Sequence, residues 1–382
     1  MTAPGAFGSG AAAAGRALSI AVVQGGPSAE AEVSRASAAN VAAALTSAGH
    51  RVVRLELDAF IAESLRTGGY DVVFPVAHGA VGEDGSLQGV LEVLELPYVG
   101  SDVLASALAM HKRVARVLFR DAGLPVAKGI AVRRGERANA RAAAEQARRE
   151  VGARVVVKPS AQGSAIGVAR LEADATAAEL ARAIEAVWAI DEFALVEHFA
   201  RGREVTCAVL GPTVVGPIGA GAPIDKPETA GAPIDRPETA GAPIDKPEAS
   251  APRALPLIEI LSPHDPFYSY EARYVPGRST HVCPAALPQA LTEKVQAIAL
   301  EAHTALGCRD LSRVDFVVGD EGAPEAIALL EVNTMPGMTA TSLYPEAAAA
   351  AGLPMPALCN ALANAAFERG SAARQAPRPL PR

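Results

Sequence analysis

Arg313-Val314-Asp315-Phe316-Val317-Val318 and Leu329-Leu330-Glu331-Val332-Asn333-Thr334-Met335-Pro336-Gly337-Met338 read as the two arms of a β-hairpin, with Asp320-Glu321-Gly322 supplying the turn. On such a hairpin Asp315 and Glu331 fall on neighbouring strands, and Asn333, two residues after Glu331, shares its face. Two carboxylates and an amide oxygen gathered among apolar residues carry a desolvation cost that a hard cation offsets. Magnesium together with nucleotide phosphates fits that donor set. The competing reading is a solvated hairpin end with no ligand.

Upstream, apolar runs at Ile20 to Val23, Val52 to Leu57 and Val72 to Ala77 alternate with an Ala-rich stretch, Glu32 to Ala48, that stops at Gly49. This β-α-β pattern predicts a parallel sheet flanked by helices, a Rossmann-like N-terminal domain. Ligands of such sheets collect beyond the carboxyl ends of the strands, where the loops Gln24 to Glu30 and His78 to Gly85 both fall. A middle section, about Lys112 to Phe199, holds the strand Arg154 to Val157 and then the small-residue loop Lys158 to Gly167. Its backbone N–H groups and single lysine suit phosphate, although neither the P-loop nor the dinucleotide glycine spacing is present.

The decapeptide AGAPIDKPET at Ala220 to Thr229 is nearly repeated at Ala230 to Thr239 and again from Ala240. Two prolines per copy block regular helix and sheet, so a flexible or extended surface insertion is expected. Met1 to about Arg16 and Ser371 to Arg382 lack periodicity and read as disordered tails.

The composition narrows the function classes. With 382 residues, 50% of them apolar, and 42 acidic against 35 basic residues for a net charge of -7, the chain suits two or three soluble domains. Nucleic-acid binding through a basic surface is disfavoured. No window approaches a membrane span and the first 17 residues lack signal-peptide features, so a cytoplasmic location is expected. Cys207, Cys283, Cys308 and Cys359 form no CxxC pair. Cys283 is expected to be a small hydrophobe rather than a nucleophile, and His111, His198, His264, His281 and His303 share no ligand spacing. For His78 the choice lies between core packing and a site at the strand end, and Glu83 and Asp84 either shape a turn or take part in the chemistry.

A set of motifs in one order resembles the D-alanine–D-alanine ligases of the ATP-grasp superfamily, from about Ile20 to Ala365. The motifs are GGPSAEAEVS (Gly25 to Ser34), HGAVGEDGSLQG (His78 to Gly89), YVGS (Tyr98 to Ser101), KPSAQGSAIG (Lys158 to Gly167), FYSYEARY (Phe267 to Tyr274) and EVNTMPGMTATS (Glu331 to Ser342). The resemblance implies a mixed α/β and α+β architecture, an ATP-grasp fold behind the Rossmann-like domain. The units expected are 17-111, 112-200 and 201-370, with the 220-250 repeat as an insertion and tails at 1-16 and 371-382.

By the same resemblance, Lys112, Lys158 and the Ser160 to Ile166 loop would hold ATP phosphates, with Arg273 in the lid and Glu197 and Glu204 toward the adenine and ribose. Asp315, Glu331 and Asn333 would ligate two magnesium ions, manganese being a substitute. Arg313 and the backbone through Gly337 would stabilise charge at the reacting carbonyl. Glu30 and His78 would address the first D-alanine and Ser342 the carboxylate of the second, while Tyr274, Glu30 and Ser164 would form a hydrogen-bonded set closing the lid. The implied partners are D-alanine, ATP and a second copy of the chain. His111, Arg273, Ala161, Gln162, Ala165, Ala340 and Thr341 depart from the family's usual residues, yet none removes a metal ligand or a phosphate lysine. The alternatives are a sibling ligase taking D-lactate or D-serine second, and an ATP-binding interaction protein of low activity.

Overall fold

A computed structural model describes residues 16–135, 139–212, 214, 251–263, 273, 277–320 and 323–371. The decapeptide repeat and Tyr274 lie outside the described residues. The molecule is a mixed α/β structure built on three sheets.

The first sheet holds β1 (Ser19–Gln24), β2 (Arg51–Glu56) and β3 (Val72–Pro75), all parallel, in the order β2-β1-β3. β1 is buried on both faces, as a strand covered by helices must be, and its apolar run needs no alternation. Helix α1 (Ala31–Ser47) follows β1, and α2 (Ile61–Thr67), α3 (Ser86–Val93), α4 (Val103–Met110) and α5 (Lys112–Asp121) carry the chain onward. Asp102 caps α4 by accepting from Ala105 N at 2.9 Å.

The second sheet is antiparallel, order β4-β7-β5-β6, from β4 (Gly129–Arg133), β5 (Val155–Pro159), β6 (Ala169–Leu171) and β7 (Phe193–His198). Helices α6 (Ala140–Glu150) and α7 (Ala177–Trp188) pack together over it; Ala144, Ala147, Leu180 and Ile184 join Val155, Val157 and Val196 in one apolar core. A capping box starts α7, with Thr176 and Glu179 exchanging side-chain and backbone hydrogen bonds.

The third sheet runs β11-β10-β8-β12-β13, with β9 beside β8, all antiparallel. Its strands are β8 (Arg203–Leu210), β9 (Arg253–Ala254), β10 (Ile258–Leu261), β11 (Thr280–Val282), β12 (Leu311–Asp320) and β13 (Ala323–Asn333). Helices α8 (Gln289–Ala305), α9 (Leu343–Ala350) and α10 (Met355–Arg369) cover it and reach the first sheet. Leu358, Leu362 and Tyr344 share a core with Ile20, Val22 and Phe74. Asp310, fully buried, accepts from Gly100 N at 2.8 Å and pairs with Arg369, tying the last helix to the segment between α3 and α4. Arg16 pairs with Asp71 and Ser371 is buried.

The β12–β13 hairpin is present as expected, with Asp315 directly opposite Glu331 and Arg313 opposite Asn333. The register shifts immediately afterwards, Phe316 pairing with Leu329, so Leu330 is an extra residue in β13. Leu329 packs in the core, whereas Leu330 and Glu331 both face the cleft and Val332 returns to the core. Strict alternation from Leu329 would have buried Glu331. The bulge points the carboxylate at the cleft.

Candidate active site

The three sheets meet around two adjoining hollows, of about 980 and 1100 Å³. Glu30, His78, Ser164, Arg313, Asn333, Gly337 and Ser342 line the first. Lys158, Glu197, Glu204 and Asp315 line the second together with Gln162, Arg170, His198 and apolar side chains including Val156, Ile166, Phe199, Ile260 and Phe316. Lys112, Arg273 and Glu331 line both. Fourteen of the fifteen residues expected from the sequence are thus brought together, and Tyr274 lies outside the described residues.

At the junction the hairpin carboxylates meet cations. Lys112 Nζ stands 3.0 Å from Glu331 and donates to Gln162 O at 2.7 Å, and Arg313 grips Asp315 with two hydrogen bonds of 2.8 Å. Thr206 Oγ1 also donates to Asp315, at 2.6 Å, from the neighbouring strand β8. Burial alone would raise the Glu331 pKa, but Lys112, with Arg273 and Lys158, holds it down to about 2. Asn333 Oδ1 accepts from Met335 N at 2.8 Å, which orients the amide. Among the described residues no three His, Cys, Asp or Glu side chains converge as a metal cluster. Two carboxylates and an amide leave the remaining oxygen ligands to a nucleotide or to water.

The loop after β5 is bent sharply: Ser164 and Ala165 have φ of 48° and 56°, left-handed conformations that cost a residue with a side chain roughly 1 kcal/mol or more. A hydrogen bond from Ser164 Oγ to Glu30 offsets that cost and ties the central unit to the first. A Cβ on Gly163 would lie 2.9 Å from Glu30 Oε2, so glycine permits this approach. Asp191 anchors the loop's start by accepting from Ala161 N at 2.8 Å, and Lys112 N donates to Ser160 O at 2.8 Å. Opposite, a Cβ on Gly337 would lie 2.9 Å from Ser342 Oγ, which accepts from Thr339 N at 2.9 Å.

His78 sits at the carboxyl end of the first sheet, as its position predicts, and it is buried. Glu83, left between turn and site by the sequence, places Oε1 3.1 Å from His78 Nδ1 and accepts from Gly79 N at 2.8 Å; Asp84 instead holds the turn by accepting from Val81 N and Ser86 N. Burial raises the Glu30 pKa, reinforced by Glu83. At His78 burial opposes the charge, but the hydrogen bond and charge of Glu83 outweigh it and the pKa rises above 6.5. Stability from this pair is therefore complete below pH 6.5 and lost as pH rises through the higher folded-state value. His78→Gln is expected to flatten the melting-temperature curve as pH rises above 6.5 relative to the parent; identical slopes would contradict the pairing.

Sequence reading missed two buried supports, Thr206 behind Asp315 and Arg116 behind Glu197. The spacing of Arg116, four residues after Lys112 on one helix face, was the available signal. Cys283 is half-buried with its thiol pKa pushed up to about 11, first by burial, and His303 is a buried histidine hydrogen-bonded to Ser312, held down to about 4 by burial. Neither behaves as a reactive group.

Comparison with known proteins gives this arrangement a family. The model described as D-ala D-ala ligase C-terminus matches residues 118–221 and 244–364, more than half the chain, and the one described as D-ala D-ala ligase N-terminus matches 59–101. The chain belongs to the D-alanine–D-alanine ligase family. Ligases of that name from Desulforamulus reducens and Moorella thermoacetica are each 39% identical to it, over 356 and 352 residues, covering 92% of this chain and 100% of their own. Among solved structures, the D-alanine–D-alanine ligase from Bacillus anthracis complexed with ATP superposes with a TM-score of 0.70 at 26% identity, covering 92% of this chain and 98% of its own. The ligase from Coxiella burnetii gives 0.69 at 26%, covering 94% and 97%.

Proposed function

We propose that the protein joins two D-alanine molecules at the expense of ATP, releasing ADP and phosphate, and so supplies a peptidoglycan precursor in the cytoplasm as a homodimer. The observation that carries this reading is the junction at Lys112 and Glu331, where an apolar slot adjoins a charged cleft. The purine fits the slot beside Glu197 and Glu204, and the phosphates extend past Lys158 and the Ser160 to Ile166 loop toward Lys112, with Arg273 over them. The first D-alanine lies by Glu30 and His78, and its carboxylate attacks the γ-phosphorus to give an acyl phosphate and ADP. The amine of the second, its carboxylate near Ser342, then attacks the acyl carbon; the amine proton leaves and the C–O bond to phosphate breaks. Arg313 and the backbone to Gly337 face the oxygen on which charge develops.

Positioning and charge neutralisation are what such phosphoryl transfer requires of a protein. Asp315, Glu331 and Asn333 are an all-oxygen set that fits magnesium, or manganese in its place; two such ions would neutralise phosphate charge when bound. Tyr274, in the reading from the sequence, joins Glu30 and Ser164 to shut water out, which an acyl phosphate demands. The working units remain 17-111, 112-200 and 201-370, with the 220-250 insertion between strands of the last.

Phosphate release with ATP and magnesium is expected to depend on D-alanine and to yield D-alanyl-D-alanine. L-alanine should not substitute, and D-lactate should not displace D-alanine as second substrate at neutral pH. Release without a dipeptide product, or preference for D-lactate or D-serine, would overturn the reading.

A further inference from the structure

Arg116 is a charged side chain in an expensive place. It lies on the inner face of α5 with Ala115 and Phe119, only 4% exposed, and a guanidinium taken out of water is strongly disfavoured unless it is paired. Its pairing is specific. NH1 stands 2.7 Å from Glu197 Oε1, and NH2 donates to the carbonyl of Ala127. Glu197, 3% exposed on the central sheet, turns its other oxygen to Lys158 Nζ at 2.9 Å. Burial pulls the Arg116 pKa down and the Glu197 charge pushes it back, and a guanidinium stays protonated throughout.

We propose that Arg116 is a positioning residue for nucleotide binding: it satisfies Glu197 through one oxygen so that Lys158, on the other, remains available to the phosphates. The inference rests on the reading of Lys158 as a phosphate lysine. Its logic is electrostatic. Two cations share one carboxylate, leaving one net positive charge among these three side chains, which favours an anion beside Lys158. With Arg116 removed, the whole charge of Glu197 falls on Lys158 and draws it into a one-to-one pair. The same helix presents Lys112 one turn earlier to Glu331, so α5 serves both hollows from a single face.

The test uses the full-length chain and steady-state phosphate release. Arg116→Met is expected to raise KM for ATP about tenfold while KM for D-alanine moves less than about twofold, and Arg116→Lys to recover most of the loss. In a Glu197→Gln background, where no full charge can seize Lys158, Arg116→Met should add less than about twofold. If Arg116→Met does not fold, Arg116→Gln carries the same expectations. Equal rises in both KM values, a lowered melting temperature with unchanged KM for ATP, or a full additional penalty in the Glu197→Gln background would overturn the proposal. Lys158→Ala separates the two readings: an unchanged KM for ATP in that variant removes the phosphate role of Lys158 and this inference with it. A raised value there beside an unaffected Arg116→Met removes the inference alone.

Discussion

Glu331→Gln is expected to lower turnover by on the order of a thousandfold or more while the chain stays folded. Glu331 concentrates several dependencies in one carboxylate. It faces Lys112 at 3.0 Å, stands opposite Asp315 on the hairpin and lines both hollows, so its charge bears on the γ-phosphate, the proposed magnesium and the lysine together. Glutamine keeps the shape and removes the charge. The side chain is 23% exposed toward the cleft, and Lys112 retains its hydrogen bond to Gln162 O, so the fold should lose little. Single-turnover and steady-state phosphate release, beside a thermal melt, would check this. Turnover within tenfold of the parent would remove Glu331 from the chemistry.

Arg313→Lys should cost about a hundredfold in turnover, with KM for ATP and for D-alanine changed far less. The substitution keeps a positive charge, which isolates the contribution of the planar fork. In the parent that fork holds both oxygens of Asp315 at 2.8 Å, and Arg313 is only 7% exposed, which leaves it one orientation. A lysine offers a compact ammonium on a flexible stem and cannot hold Asp315 while facing the reacting carbonyl. A rise in KM with turnover preserved would assign Arg313 to substrate binding, contrary to the role proposed.

Much of the fold was legible because its signals are local. The apolar runs at Ile20 to Val23 and Val72 to Ala77, with a Gly stop between them, predict the parallel sheet, and the hairpin follows from two apolar arms around Asp320-Glu321-Gly322. Phosphate-type loops declare themselves by small residues beside a lysine. Other features depend on partners distant in sequence and leave no local trace. Ser164 reaches Glu30 across 134 residues, and Ser37, which carries no motif, accepts from Met338 N across 301. Thr206 and Arg116 look ordinary until the strand pairing and the helix face place them under Asp315 and Glu197. Glu83 was ambiguous because an acidic residue in a Gly-rich turn has the same sequence appearance whether it caps backbone or holds a histidine; here it does both. The bulge at Leu330 was invisible, since the two arms alternate plausibly in either register.

That bulge makes the gene unequally tolerant of changes in length. Codons gained or lost between Asp320 and Ala323 fall beyond the last pair of β12 and β13 and leave the pairing of Asp315 with Glu331 in place. Loss of the single codon for Leu330 keeps the reading frame and removes the extra residue itself. Phe316 already pairs with Leu329 and Asp315 with Glu331, so the shortened strand would alternate regularly, with Leu329 still in the core and Glu331 still toward the cleft. The damaging change is the opposite one: a single aliphatic residue gained between Leu330 and Glu331 would have to be held as a second extra residue or would turn Glu331 toward the core, disabling the enzyme although every carboxylate is kept.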